Sequence, residues 1–239
     1  MNVGALTDPR DGNTYRTVQI GAQCWLAENL KFLTAVCPAT PTPEGSAFYY
    51  VYDYQGYSVE EAKATANYQN YGVLYNWPAA LKACPPSWHL PSDAEWSELT
   101  DFLIRTHRRI TASNVGYALK SRRQVGSPLG GDCNASDHPC WEMLSRPRVN
   151  GLAALRRMAL DFIDGVSIGY GRDDFGFSAL PGGRTIYGCF HRIGDLGYWW
   201  SSTEASPLRV WVRQMTLGGT VNHWDVSKEY GFSVRCVRD

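Results

Sequence analysis

Residues 197–204, Gly-Tyr-Trp-Trp-Ser-Ser-Thr-Glu, and residues 231–239, Gly-Phe-Ser-Val-Arg-Cys-Val-Arg-Asp, frame the C-terminal part of the chain and decide how the rest is read. The closing block alternates. Phe232, Val234 and Cys236 point one way and Ser233, Arg235 and Val237 the other, which is the period of two of a half-buried strand. Between the blocks the pattern dissolves. From Pro207 to Tyr230, large aromatics, Arg, Asn and His interleave with β-formers and follow no clear core pattern. A fixed frame around a chemically mixed middle is what a recognition surface needs. A solvated hairpin with ordinary surface residues accounts for the same pattern.

Working outward, the bulk numbers narrow the class. A chain of 239 residues fits one large domain or two small ones. Hydrophobic residues at 44% and charged residues at 19% describe a globular chain rather than a disordered one. The formal net charge is zero, so there is no electrostatic case for nucleic acid. No apolar run approaches the roughly 20 residues of a membrane-spanning helix. The start, Met-Asn-Val-Gly-Ala-Leu-Thr-Asp, shows no signal peptide. Seven cysteines are an odd number, so at least one is free or pairs with another chain.

Toward the N-terminus, Tyr15–Ile20 alternates, Gly21–Gln23 turns and Cys24–Ala27 reads as a partner strand, giving an opening hairpin. Val59–Ala66 is expected to form one or two helical turns. A helix entered near Pro78 runs to Ala83 and stops at Cys84-Pro85-Pro86. Ser92-Asp-Ala-Glu95 is a capping box, and Trp96, Leu99 and Leu103 follow at helical spacing, so they should face the core. From Gly165 onward, glycines punctuate short β-like pieces.

The usual catalytic signatures are missing. There is no His-Glu-x-x-His, no Gly-x-Ser-x-Gly, no Cys-x-x-Cys and no phosphate-cradling glycine loop. The five histidines, His89, His107, His138, His191 and His223, lack ligand spacing. No cofactor and no metal is expected, although Asp173, Asp174 and Asp225 are the carboxylates a Ca²⁺ ion would draw on. Asn134-Ala-Ser136 matches a glycosylation sequon.

Several blocks taken together carry a resemblance. They are Gly12–Gly21 with Trp25–Lys31, Tyr71–Trp77, Cys84–Trp96, Phe177–Gly183, Gly197–Thr203 and Gly231–Cys236. In this order they resemble the Fibrobacter succinogenes major paralogous domain, a family of bacterial surface and secreted proteins similar to the C-type-lectin-like and formylglycine-generating-enzyme-like fold. The resemblance implies an α+β domain with two helices, a small twisted, mostly antiparallel sheet and extensive loops. It implies a single domain over 1–239 with insertions at 38–70 and 120–150. It makes Cys84–Cys236 the expected disulfide. Cys133–Cys140 is the second pair, Cys24–Cys37 a third, and Cys189 the odd one. Such pairs imply an oxidising compartment, so the chain is expected to be exported to the cell surface or beyond. The close-set C-terminal cysteine pair of formylglycine-generating enzymes has no counterpart here, so no enzymatic activity is carried over.

The ending also looks like that of variable proteins diversified by retroelements, in which a C-type-lectin-like scaffold displays mutable ligand-binding residues. That likeness puts the candidate ligand-binding positions at Leu208, Arg209, Trp211, Arg213, Thr216, Thr220, Asn222, His223, Trp224, Asp225, Val226 and Tyr230. Trp211, Trp224 and Tyr230 would be anchors, and the charged and amide residues adaptable contacts. The expected function is non-enzymatic recognition of a protein or glycan through residues 205–230. The alternatives are a structural subunit of a fimbria or surface layer, or an enzyme of the formylglycine-generating-like fold.

Overall fold

The computed structural model describes residues 3–39, 45–121, 141 and 171–239. Its elements are mixed α and β, with strands dominant. The N-terminal strand β1 (Val3–Thr7) pairs antiparallel with β2 (Thr14–Ile20), which pairs with β3 (Gln23–Leu26). The expected hairpin is therefore present, with Gly21 at φ +60° in the turn. The short β12 (Val237–Arg238) and β6 (Trp88–His89) complete a five-stranded sheet in the order β1-β2-β3-β12-β6.

A second five-stranded sheet comprises β7 (Gly182–Ile186), β8 (Cys189–Ile193), β9 (Gly197–Ser206), β10 (Arg209–Met215) and β11 (Val221–Ser227). Its order is β11-β10-β9-β7-β8. All its pairs are antiparallel except β7 with β9. A two-stranded ribbon, β4 (Tyr49–Tyr50) with β5 (Leu74–Tyr75), stands apart. The described residues thus hold two sheets and a ribbon in place of the one small sheet expected.

Five helices occur among the described residues instead of two, and only one is long. They are α1 (Val59–Ala64), α2 (Ala66–Tyr71), α3 (Trp77–Ala80), α4 (Asp93–Thr106) and α5 (Val115–Leu119). α3 stops three residues short of Ala83, its chain passing into turns. α4 starts at the capping box as its sequence dictates. The Ser92 hydroxyl accepts from Glu95 N–H and the Glu95 carboxylate accepts from Ser92 N–H at 2.7 Å. Trp96, Leu99 and Leu103 are fully buried. The 38–70 region, read as an insertion, contributes Val51, Ala62 and Tyr68 to a buried cluster.

Two apolar clusters meet at β9. Tyr198 and Trp200 belong to one, and Trp199 between them belongs to the other. The C-terminal segment runs along the same boundary. Phe232, Val234 and Cys236 share the first cluster, as the alternation requires. The opposite side is buried too, however: Ser233, Arg235 and Val237 are all at or below 1% exposure. The expectation of a half-buried strand fails because this segment is covered on both sides. Arg235 meets the cost of burial with neutral acceptors. It donates to the carbonyls of Leu26, Phe177 and Ser178 and to Asn29 Oδ1. Burial still pulls its guanidinium down to about 9.

Cys84 and Cys236 form a disulfide across 152 residues. Cys24 and Cys37 are free, so that proposed third pair does not form, and Cys189 is free and exposed. The Cys133–Cys140 pair, the Asn134 sequon and His138 lie outside the described residues.

Candidate functional site

The segment read as lacking a core pattern is a hairpin, β10–β11, whose first strand is central to its sheet and whose second is the sheet's edge. That position explains the mixed sequence. Val210, Val212 and Met215 of β10 are buried, while no residue of β11 is. Register then divides the candidate residues between two faces. Trp211 faces Asp225 and Arg213 faces His223 on one side. Val212 faces Trp224 and Gln214 faces Asn222 on the other.

The first face is a charge ladder built against α4. The Arg209 guanidinium pairs with the Asp225 carboxylate and holds it below the usual carboxylate range. Arg213 is only 4% exposed. Its guanidinium pairs with Asp93, the first residue of α4, and donates to the Asp93 carbonyl at 3.1 Å and to Ser97 Oγ at 2.9 Å. His223 Nε2 lies 2.8 Å from the same carboxylate, and its ring lies tilted against Trp211 with centroids 4.2 Å apart. Arg213, expected as an adaptable contact, is instead a strap between sheet and helix. The sequence hid this because its partner is 120 positions away.

The second face is a row of rings joined by amides. Trp224 is 55% exposed, and its indole N–H donates to Gln214 Oε1 at 3.0 Å. Asn222 Nδ2 donates to the same oxygen, and Gln214 Nε2 donates to the Tyr198 hydroxyl at 2.6 Å. Arg184 on β7 donates to that hydroxyl from the far side at 2.9 Å and lies over the Tyr198 ring. Tyr198 stacks on Phe232, Phe232 meets Tyr230 edge-on, and Tyr230 meets Tyr187. The Tyr230 hydroxyl donates to that of Tyr187 at 2.9 Å. Burial, and then Tyr187, push the Tyr230 phenol up, while Arg209 and Arg184 pull against them. Tyr187 is 80% exposed at the tip of the β7–β8 hairpin. There Tyr187 (φ 48°) and Gly188 (φ 77°) form the two-residue turn whose twist suits a hairpin.

Sequence reading named Asn222, Trp224, Val226 and Tyr230 on this face. It missed Arg184, Tyr187, Tyr198 and Gln214. Tyr198 lay in the frame rather than the middle, and Arg184 and Tyr187 come from a separate hairpin. A period-two count from Trp224 across to Gln214 would have found one of the four.

The remaining candidates sit at the hairpin ends. Thr216 Oγ1 accepts from Gly218 N–H and Thr220 donates to Asn222 Oδ1. This β10–β11 loop is pinned to α5. Gly116 N–H donates to Gly219 C=O at 2.7 Å, and a Cβ on Gly219 would lie 2.4 Å from the Ser113 carbonyl. The buried Lys120 ammonium reaches the carbonyls of Thr216, Leu217 and Gly218. Burial pulls Lys120 down to about 7. At the other end, Leu208 lines an open cleft of about 460 Å³ with Trp77, Pro78 and Lys228. The Lys228 ammonium lies over the Trp77 ring and pairs with Glu204.

The carboxylates considered for Ca²⁺ are engaged elsewhere. Asp173 accepts from Ser178 N–H and Oγ, Asp174 pairs with Arg172, and Asp225 pairs with Arg209. Among the described residues no cluster of three or more His, Cys, Asp or Glu could hold a metal ion. Nor is any described helix long and apolar enough to cross a membrane. No curated protein and no solved structure matches the chain. The family model for the Fibrobacter succinogenes major domain matches residues 18–238, the span that holds the whole second sheet, the disulfide and the ring row, and the chain therefore belongs to that family.

Proposed function

We propose that the protein is a non-enzymatic, exported recognition protein that binds a protein or glycan ligand through residues 205–230, displayed on a C-type-lectin-like scaffold. The observation that carries this reading is the state of Trp224. Its ring is more than half exposed, yet its indole N–H is tied to Gln214, so the ring is held in place rather than free. A large aromatic fixed before binding loses little entropy on contact, which is how binding surfaces gain affinity. The surroundings support the same reading. The loop below is pinned by Lys120 and the Gly116–Gly219 approach, and the C-terminal segment is tied to the chain after α3 by the Cys84–Cys236 disulfide. The likeness to retroelement-diversified proteins makes the exposed positions of β11 those that would vary between copies.

The test is a binding screen against soluble polysaccharides and immobilised extracellular proteins, run with wild type and a Trp211→Ala, Trp224→Ala, Tyr230→Ala triple variant. Ligands retained by wild type are expected to be lost by the variant while thermal unfolding stays cooperative. If every retained ligand binds the variant equally well, the surface lies elsewhere.

A further inference from the structure

Two arginines are half-buried among the described residues, Arg172 and Arg184. Arg172 pairs with Asp174, and the exposed Arg10 and Arg209 and the buried Arg213 have carboxylate partners as well. Arg184 pairs with none among the described residues. One of its nitrogens donates to the neutral Tyr198 hydroxyl, and its buried Nε finds no partner. A guanidinium held over a ring without an anion is poised to take one, and with Nε buried a carboxylate would meet it across the two Nη groups, where it accepts parallel N–H bonds.

The surroundings define what carries that anion. From Arg184 the row continues through Tyr198 and Gln214 to Asn222 and Trp224, crossing from β7 to β11. Three strand spacings separate its ends, roughly 14 Å at about 4.8 Å each. That length suits a short oligosaccharide rather than a single sugar. Trp224 and Tyr187 are exposed rings at the two ends. Pyranose C–H faces suit such rings, and sugar hydroxyls suit the amide edges between them.

We infer that this row is a binding subsite for an acidic oligosaccharide, with a uronic carboxylate on Arg184 and a sugar ring against Trp224. The inference rests on the recognition reading above and specifies its ligand.

The probes are polygalacturonate, alginate and hyaluronate, with methyl-esterified polygalacturonate as the uncharged control and poly-glutamate as an acidic peptide. Affinity electrophoresis of the full chain gives the readout, and thermal unfolding checks each variant. Wild type should be retarded by at least one uronate polymer, weakly by the ester and weakly by poly-glutamate. Arg184→Gln should weaken uronate binding about tenfold or more, the scale of a charge-assisted pair. Arg184→Lys should recover part of it, and Trp224→Ala should weaken charged and esterified polymers alike. Retardation by none of the three uronates, equal binding by Arg184→Gln, or tighter binding of poly-glutamate would each overturn the inference. The broader recognition reading survives those outcomes if another ligand is lost with the triple variant.

Discussion

Asn29 is the joint on which the C-terminal segment hangs, and replacing it with alanine gives the sharpest test of the scaffold. Its Oδ1 accepts from Trp199 Nε1 at 3.0 Å and from Arg235 Nε at 2.9 Å. Its Nδ2 donates to the Tyr71 carbonyl and to Ser233 Oγ. One side chain thus ties β9, α2 and the C-terminal segment together, and it is 2% exposed. Asn29→Ala strips the acceptor from two buried donors, one of them charged. Each such loss costs about 1–3 kcal/mol, the charged one at the upper end, so about 3–5 kcal/mol is expected in all. That is a large share of the roughly 5–15 kcal/mol that holds a typical domain together. Asn29→Asp keeps an oxygen for both donors and sets a carboxylate beside Arg235, at the expense of the two Nδ2 bonds. It should cost less than the alanine. Urea unfolding followed by tryptophan fluorescence, with the disulfide intact in every protein, measures both. A cost below about 1 kcal/mol for Asn29→Ala, or an aspartate worse than the alanine, would refute the reasoning.

Other consequences follow from the same contacts. Replacing Cys84 and Cys236 with serine opens a 152-residue loop and should lower stability by about 5 kcal/mol in the chain-entropy view, read as a fall in the urea midpoint. Lys120, at about 7 folded against 10.5 unfolded, binds fewer protons folded than unfolded across that interval. Stability should therefore rise between pH 7 and 10 by up to about 1.4 kcal/mol per unit, and this rise should be missing from Lys120→Met. At His89, burial pulls the imidazole down, but its bonds to Asp239 and Glu95 outweigh that and raise it. Its contribution is complete below pH 6.5 and lost as pH climbs through the raised folded value. Glu95 is lowered, so its share fades on acidification through its folded value. Melting temperature against pH should show the acid flank in wild type, and the difference between wild type and His89→Gln should shrink as pH climbs through the raised histidine value, beneath the Lys120 rise. Arg213→Ala removes a charged partner from Asp93, which keeps His223, and should cost about 2 kcal/mol, whereas Trp224→Ala should stay within about 0.5 kcal/mol in the same urea assay.

Local signals were legible in the chain wherever the physics was local. The Ser92 cap, the Trp96–Leu99–Leu103 stripe and the Gly21 turn need only neighbours within a few residues, and each formed as read. The alternation of Phe232, Val234 and Cys236 gave the right side for those three. It could not show that Ser233 and Arg235 were also covered, because their partners Asn29 and Phe177 lie far away in sequence. The site followed the same rule. Asn222 and Trp224 were visible inside the mixed segment, but their link to Tyr198 and Arg184 depends on strand order, which no local pattern encodes. Arg213 looked like any other arginine until α4 was placed against it.

The two faces of the β10–β11 hairpin therefore have different freedoms. On the α4 side, Arg213 and Asp93 bear on how sheet and helix meet, so a change there reaches the frame. On the other side, Asn222 and Trp224 touch one glutamine that is itself held by Tyr198. Changing either removes one or two hydrogen bonds at the surface and leaves Val210 and Val212 packed in the core. The hairpin ends are held by groups outside this row, Lys120 at the loop and Lys228 with the Pro207 carbonyl at the open end. Rigidity thus comes from the ends and the inner strand, and chemistry can change along the outer one. A surface built this way can alter its chemistry without altering how it folds, and the difference is located in which face of the hairpin a residue occupies.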